Sequence, residues 1–307
     1  MMWAMADRRR LDGIVPIIAM PFGDDDRIEM ADLCREVDFL ADLEIPAFGF
    51  GYGSEVLRLT DQERDEVIRV ATAHLADRMP LLAGVGAGSV RAVIARAEAT
   101  ALAGADLLMV NAPLGATPDD VRTVMREAAA TGRGIIVQDA PSISLADLSV
   151  DLIDQLVDEI PGIIALKIET VPSAPKIGAV VARVASRVSV LAGSGGGDFY
   201  HELQRGADGT VPGSGFPEAF IDVWKIHKSG DKRWARQAFN RLLPLIHLSL
   251  RSSDTFLWMQ KECLRRRGVL RSTTMRVPSA PLDPGLPAEL DDLLTDLEFE
   301  WARGVVA

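Results

Sequence analysis

Lys167 and Glu169 lie two residues apart near the end of an apolar run that reads GIIALKIET over residues 162–170. Side chains two residues apart on a strand point to the same face. An amine in an apolar cavity is more readily deprotonated, and a neutral amine can attack a ketone to form a Schiff base. A carboxylate beside the resulting iminium can remove a proton from the neighbouring carbon. The pair therefore predicts proton transfer at a carbon next to a carbonyl, with Lys167 and Glu169 as catalytic residues.

The elements that would position this pair alternate between short apolar runs and longer amphipathic segments, from Gly13 to about Lys228. Eight runs, each followed by a helical segment, predict an α/β fold of the (β/α)8 TIM-barrel type over residues 1–230. A doubly wound sheet usually has fewer strands and is the second choice. Residues 231–307 carry only helical patterns and predict a C-terminal helical extension of the same domain, with its last helix over 288–303. The apolar stripe in its first helix consists of Ala235, Phe239, Leu242 and Ile246.

The orientation of the sixth strand decides where the pair would lie. Alternation predicts that one set of side chains faces the helix layer: Ile164, Leu166 and Ile168. The other set is predicted to face the lumen: Ile163, Ala165, Lys167 and Glu169. Lysine and glutamate then lie at the carboxyl end of a barrel strand, where barrel active sites are built. The alternative is a weak ion pair on the solvated face of an antiparallel strand, which the repeated βα pattern disfavours.

Composition excludes several classes of function. The 307 residues carry a formal net charge of −11, which argues against general affinity for nucleic acid or an anionic membrane. No run approaches about 18 apolar residues, so no membrane span is expected. Two cysteines are too few for a disulfide framework and favour a reducing compartment, so we expect a cytoplasmic protein. Four dispersed histidines have no metal-ligand spacing, so we expect neither a metal nor another cofactor.

Several loop motifs, taken with a lysine on the sixth strand, resemble the dihydrodipicolinate synthase and N-acetylneuraminate lyase family of Schiff-base barrels over nearly the whole chain. They are MPF at 20–22, GYGSEVLRLT at 51–60, QDAP at 138–141 and GSGGG at 193–197. In that family the loop after the second strand usually reads Gly-Thr-Thr-Gly-Glu, and its amides hold the carboxylate of a 2-oxo acid. The resemblance implies a small-molecule 2-oxo acid as the binding partner and a homodimer or homotetramer. The substrate-binding residues that it implies are Gly53 and Ser54 for the carboxylate, Tyr52, Ser54 and Gln138 for substrate hydroxyls, and Gly193 and Ser194 as substrate neighbours.

The chain departs from the family after the fifth strand, where Tyr-Asn-x-Pro is usual and a tyrosine transfers protons. Here the segment reads Gln138-Asp139-Ala140-Pro141, and glutamine has no useful acid or base pKa. The tyrosine pair that follows the fourth strand in the synthases is missing from NAPLGATP at 111–118. The arginine that binds the second substrate's carboxylate in those synthases falls at about Ile143. These three differences argue against a role in lysine biosynthesis.

VQDAP together with KIET resembles the branch of the family that contains 2-keto-3-deoxy-L-arabonate dehydratase, in which the carboxylate two residues after the lysine performs the proton transfers. The loss of the tyrosine and the presence of Glu169 compensate one another chemically. The resemblance implies a dehydratase that converts 2-keto-3-deoxy-L-arabonate to 2-oxoglutarate semialdehyde. Two alternatives stay open: a pyruvate-dependent aldolase of the same family, and a barrel that binds a 2-oxo acid without converting it.

Overall fold

A computed structural model describes residues 10–299, and its centre is one sheet of eight parallel strands in the order β1-β8-β7-β6-β5-β4-β3-β2. The strands are β1 (Gly13–Ile14), β2 (Phe48–Phe50), β3 (Leu81–Gly84), β4 (Leu107–Asn111), β5 (Gly134–Asp139), β6 (Ile163–Ile168), β7 (Ser189–Ala192) and β8 (Gly209–Thr210). The segment after β1 closes the sheet onto β2, because Ile18 N donates to Gly49 O at 2.8 Å and Gly49 N donates to Pro16 O at 3.1 Å. The predicted (β/α)8 barrel is confirmed.

Helices follow the strands and begin at residues that cap them. Thr60 accepts a hydrogen bond from Glu63 N at the start of the second helix, and Thr117 caps the fourth, with Pro118 in its first turn. Within residues 10–299 no helix combines the length and apolar character needed to cross a bilayer. The helices are α1 (Met30–Ala41), α2 (Asp61–Leu75), α3 (Val90–Ala103), α4 (Pro118–Ala130), α5 (Pro141–Ser144), α6 (Val150–Glu159), α7 (Ser173–Val184), α8 (Phe199–Leu203), α9 (Pro217–Lys228), α10 (Lys232–Ser249), α11 (Ser253–Arg266) and α12 (Leu286–Asp296).

Strand β6 interrupts the predicted alternation at its beginning. Ile135 of β5 pairs with Ile163, but Ile136 pairs with Ala165, so Ile164 is an extra residue in the ladder. Ile163 consequently packs in the core between the sheet and the helices, while Ile164 packs against the core inside the barrel. The predicted orientations of these two residues were therefore wrong. Beyond the bulge the alternation resumes. Leu166 and Ile168 pack in the core between the sheet and the helices, as predicted.

The last helix is shorter than its sequence pattern indicated. Helix α12 covers Leu286–Asp296, whereas the predicted range was 288–303. The chain leaves the helix because Glu298 adopts a left-handed backbone conformation with φ of 55°. The predicted residues 300–303 lie outside the described part of the chain.

The C-terminal helices hold the loop after β2 through a buried ion pair. Lys261 of α11 is fully buried and donates to the Glu55 carboxylate and to Thr274 O, the latter at 2.6 Å. Burial lowers the pKa of Lys261, and the charge of Glu55 opposes this effect. Arg58 Nη1 donates to the second oxygen of Glu55 at 2.6 Å. We call this the Glu55–Lys261 clamp. It fixes the segment that begins with Tyr52 relative to α11.

Candidate active site

Lys167 and Glu169 meet at the carboxyl end of β6. The Lys167 Nζ atom lies 3.3 Å from Glu169 Oε1, and Lys167 is only 6% exposed. Both side chains line a cavity of about 510 Å³, at the end of the barrel where (β/α)8 enzymes carry their active sites. The structure therefore brings the two predicted catalytic residues together inside one cavity.

Glu169 is held as a carboxylate by three neighbours. Its Oε1 accepts a hydrogen bond from Ser194 N at 2.8 Å, and its Oε2 accepts one from Gln138 Nε2 at 2.6 Å. Burial alone would raise the pKa of Glu169, but the Lys167 ammonium and the two hydrogen bonds outweigh burial and hold this pKa below its ordinary value. Gln138, which was predicted to orient substrate hydroxyls, lines the cavity and also orients Glu169.

The loop after β7 is shaped to accept the Glu169 side chain. A Cβ atom on Gly193 would lie 2.4 Å from Glu169 Cγ, so only glycine leaves room for this approach. Ser194 and Gly195 then adopt left-handed conformations with φ of 51° and 65°, and both line the cavity. The two residues predicted here as substrate neighbours therefore differ in position: Gly193 packs against Glu169, while Ser194 faces the cavity and supplies an amide to Glu169.

The loop after β2 contributes Tyr52 and Gly53 to the cavity lining. Ser54 is fully buried beneath this loop. Its hydroxyl donates to Ile18 O at 2.5 Å and accepts from Gly51 N at 3.2 Å, and its amide donates to Gly51 O at 2.8 Å. The structure thus brings two of the three predicted loop residues to the cavity, and Ser54 shapes the turn that presents them.

The phenol of Tyr52 points towards the neighbouring strands β3 and β4. Asn111 Nδ2 donates to the Tyr52 hydroxyl at 3.4 Å, and a Cβ atom on Gly86 would lie 2.2 Å from that oxygen. Burial raises the pKa of Tyr52, and the nearby charge of Glu169 adds to this effect. The ring of Tyr52 therefore forms a wall of the cavity, with a phenol that stays protonated at neutral pH.

Asp139, next to Gln138, connects the segments after β5 and β6. This buried carboxylate accepts from Leu148 N at 3.1 Å and from Thr170 Oγ1 at 3.0 Å, and it lies 2.6 Å from Lys176 Nζ. Its carbonyl oxygen accepts from Glu169 N at 2.8 Å. Asp139 therefore fixes the backbone on both sides of the Gln138–Glu169 contact.

Sequence reasoning gave no site role to the residues that line the outer part of the cavity, and it noted Ile143 only as the position where the synthases carry an arginine. Leucine, isoleucine, phenylalanine and serine carry no chemical signal in a sequence, and the extension reaches the site only through tertiary packing. These residues come from the segment after β5 and from the junction of α10 and α11: Ser142, Ile143, Leu250, Ser252, Ser253, Phe256 and Leu257.

Comparison with known proteins finds relatives that match nearly the whole chain. The Dihydrodipicolinate synthetase family pattern matches residues 10–297. The chain is 29% identical to the L-2-keto-3-deoxyarabonate dehydratase of Azospirillum brasilense, over 95% of this chain and 97% of that protein. It is 25% identical to the putative 2-dehydro-3-deoxy-D-gluconate aldolase YagE of Escherichia coli, over 94% and 97% respectively. The crystal structure of dihydrodipicolinate synthase from Rhodopseudomonas palustris superposes with a TM-score of 0.85 at 28% identity, over 93% and 97%. The chain therefore belongs to the dihydrodipicolinate synthetase family and is a lyase of that family.

Proposed function

We propose that this lyase forms a Schiff base and dehydrates 2-keto-3-deoxy-L-arabonate to 2-oxoglutarate semialdehyde. The observation that carries the proposal is the carboxylate of Glu169, which is held ionised 3.3 Å from the Lys167 amine in a site where Gln138 stands in place of the family's tyrosine. A base in this position can remove a proton from the carbon next to an iminium. The similarity to a dehydratase at 29% identity supports the same reaction class.

In the first step, the carboxylate of the 2-oxo acid accepts a hydrogen bond from the backbone amide of Gly53. Lys167 transfers a proton to Glu169, and its neutral amine attacks C2. The resulting carbinolamine hydroxyl takes that proton from Glu169 and leaves as water, which gives an iminium and restores the Glu169 carboxylate. Gln138 and the Ser194 amide hold Glu169 in place through these transfers.

Elimination then follows at C3 and C4. Glu169 removes a proton from C3 to give an enamine, and the enamine expels the C4 hydroxyl, which takes the proton back from Glu169 and leaves as a second water. Loss of a proton from C5 gives a dienamine that carries an enol at C5. Protonation at C4 with loss of the enol hydroxyl proton gives the aldehyde, and protonation at C3 restores the iminium. Hydrolysis consumes one water and frees Lys167. The net reaction therefore removes one water from the substrate.

The test is to incubate the protein with 2-keto-3-deoxy-L-arabonate, reduce it with borohydride and locate adducts by mass spectrometry, while following products by NMR. We expect a five-carbon adduct on Lys167 and release of 2-oxoglutarate semialdehyde. A three-carbon adduct with release of pyruvate and glycolaldehyde would instead identify an aldolase. No adduct with this acid or with pyruvate would contradict the Schiff-base mechanism and favour a binding protein.

Removal of the hydrogen bond from Gln138 to Glu169 is expected to change the pH dependence of kcat. The reactive form of Glu169 is the carboxylate, which is present above its pKa and lost as pH falls through it. In Gln138→Leu the carboxylate loses a donor, so the pKa of Glu169 rises and the acid limb of the kcat profile moves to higher pH. We also expect kcat at neutral pH to fall about tenfold.

Steady-state rates measured from acid to alkaline pH check this prediction. Gln155→Leu is the matched control, because Gln155 contacts Arg122 on the surface and does not line the cavity. An acid limb in Gln138→Leu that coincides with those of the wild type and of the control would show that Gln138 does not set the ionisation of Glu169.

A further inference from the structure

The cavity changes character between its inner and outer ends. At the inner end Lys167 is 6% exposed and Gln138 is 3% exposed, whereas Ile143 is 39% exposed and Leu250 is 44% exposed. We call the group that surrounds the solvent-facing end the outer wall. It consists of Ser142, Ile143, Leu250, Ser252, Ser253, Phe256 and Leu257.

The outer wall contains no charged side chain. Lys167 and Glu169 are the only charged residues in the lining of this cavity within the described chain, and they pair with each other. Charges that flank the outer wall in sequence are also paired: Arg251 Nη1 lies 2.7 Å from Glu289 Oε2, and Asp254 contacts Arg58. A carboxylate placed against the outer wall would therefore lack a counterion.

The apolar members of the outer wall pack around the loops that carry the site. A Cβ atom on Gly53 would lie 3.2 Å from the Phe256 ring, and one on Gly195 would lie 2.7 Å from Leu250 Cδ2. Phe256 and Leu250 therefore lie next to the loops that carry Gly53 and Gly195, on the side of the cavity away from Lys167. The volume of about 510 Å³ is in the range of roughly 300–1,000 Å³ that holds drug-sized ligands, so space remains beyond a five-carbon acid.

We infer that the outer wall selects 2-keto-3-deoxy acids whose end remote from the carboxylate is uncharged, and that it accepts an apolar group at that end. This inference rests on the proposed Schiff-base reaction. An apolar end would be removed from water against Ile143, Leu250 and Phe256, and neighbouring hydroxyls on the chain can bond to the three serines. A second carboxylate would lose its hydration without gaining a cation. The site therefore takes monocarboxylic acids and rejects dicarboxylic ones.

Three 2-keto-3-deoxyhexonates that differ only at C6 test this selection. The probes end in a methyl, a hydroxymethyl or a carboxylate group. With the wild type we expect kcat/KM for the methyl-ended acid to equal or exceed that of the hydroxymethyl-ended acid. For the carboxylate-ended acid we expect kcat/KM to be at least about 100-fold lower than for the methyl-ended acid.

A positive charge introduced into the outer wall should weaken the preference against the carboxylate-ended acid. In Ile143→Arg we expect kcat/KM for the carboxylate-ended acid to rise about tenfold or more, because the guanidinium supplies the missing counterion. Leu145→Arg is the matched control, since Leu145 is 74% exposed and lies outside the cavity lining. Leu250→Arg serves as a second test should Ile143→Arg not fold.

Borohydride trapping with pyruvate distinguishes a failure of the proposed Schiff-base function from a failure of the selection by the outer wall. If pyruvate is trapped on Lys167 but the wild type turns over the carboxylate-ended and methyl-ended acids within tenfold of each other, the inference about the outer wall is overturned and the Schiff-base proposal stands. The inference about the outer wall is also overturned, and the Schiff-base proposal stands, if Ile143→Arg and Leu250→Arg give the same kcat/KM for the carboxylate-ended acid as Leu145→Arg. If neither pyruvate nor any of the three acids is trapped, both the proposed function and the inference are contradicted.

Discussion

Lys167→Arg is expected to abolish covalent trapping and to lower turnover by at least about three orders of magnitude, because Lys167 is the only lysine that lines the cavity within residues 10–299. Arginine keeps a cation beside Glu169, so the buried ion pair and the fold should persist. The guanidinium stays protonated in proteins and cannot attack a ketone. The measurements are borohydride trapping with pyruvate, steady-state turnover, and the urea midpoint of unfolding.

The urea midpoint decides how a loss of activity is interpreted. A midpoint near that of the wild type, combined with no adduct, assigns the loss to the missing amine. Turnover of Lys167→Arg within tenfold of the wild type would show that the reaction does not pass through an imine at this residue.

Glu169→Gln is expected to separate imine formation from elimination. The amide has the shape of the carboxylate, so the close contact with Gly193 is kept, but it cannot accept a proton from C3. We expect kcat for dehydration to fall about 10²- to 10⁴-fold, the usual contribution of a positioned base. Trapping of pyruvate on Lys167 should continue at a reduced rate, because water can replace Glu169 in the proton transfers of imine formation, and intact substrate should accumulate as its imine.

Glu159→Gln is the matched control for this substitution, because Glu159 pairs with Arg126 at the surface. Turnover of Glu169→Gln close to that of the control would assign the proton transfers to another group. Complete loss of trapping would show that no other group can replace Glu169 when the imine forms.

The meeting of Lys167 and Glu169 in one cavity was predictable because their relative position is encoded locally. Two residues on one strand share a face, and the carboxyl end of a barrel strand is where active sites lie. The orientations of Ile163 and Ile164 were not predictable in this way. They depend on a bulge that appears only in the pairing of β6 with β5, and pairing register is a property of two distant segments.

In the rest of the site, some features also follow from the local sequence, whereas others depend on contacts between distant segments. The loop after β2 was predicted from its motif, but the inward packing of Ser54 depends on Ile18, 36 residues earlier. The outer wall includes Leu250 and Phe256, which reach the cavity because α10 and α11 fold back over the barrel. Their residue types are ordinary core types, so only the three-dimensional arrangement reveals their role.

The Glu55–Lys261 clamp also has a consequence for the order of events during protein synthesis. Its two residues are separated by 206 positions, so at about 5–20 residues per second Glu55 is made roughly 10–40 s before Lys261. Until then Arg58 is the only one of the two cations available to Glu55, and the oxygen that Lys261 contacts has to stay hydrated, because burying it unpaired is costly. The loop that carries Gly53 can therefore reach its final position only when the chain is nearly complete. A ribosome that stops before Lys261 would release a chain with every barrel strand and an unfinished site.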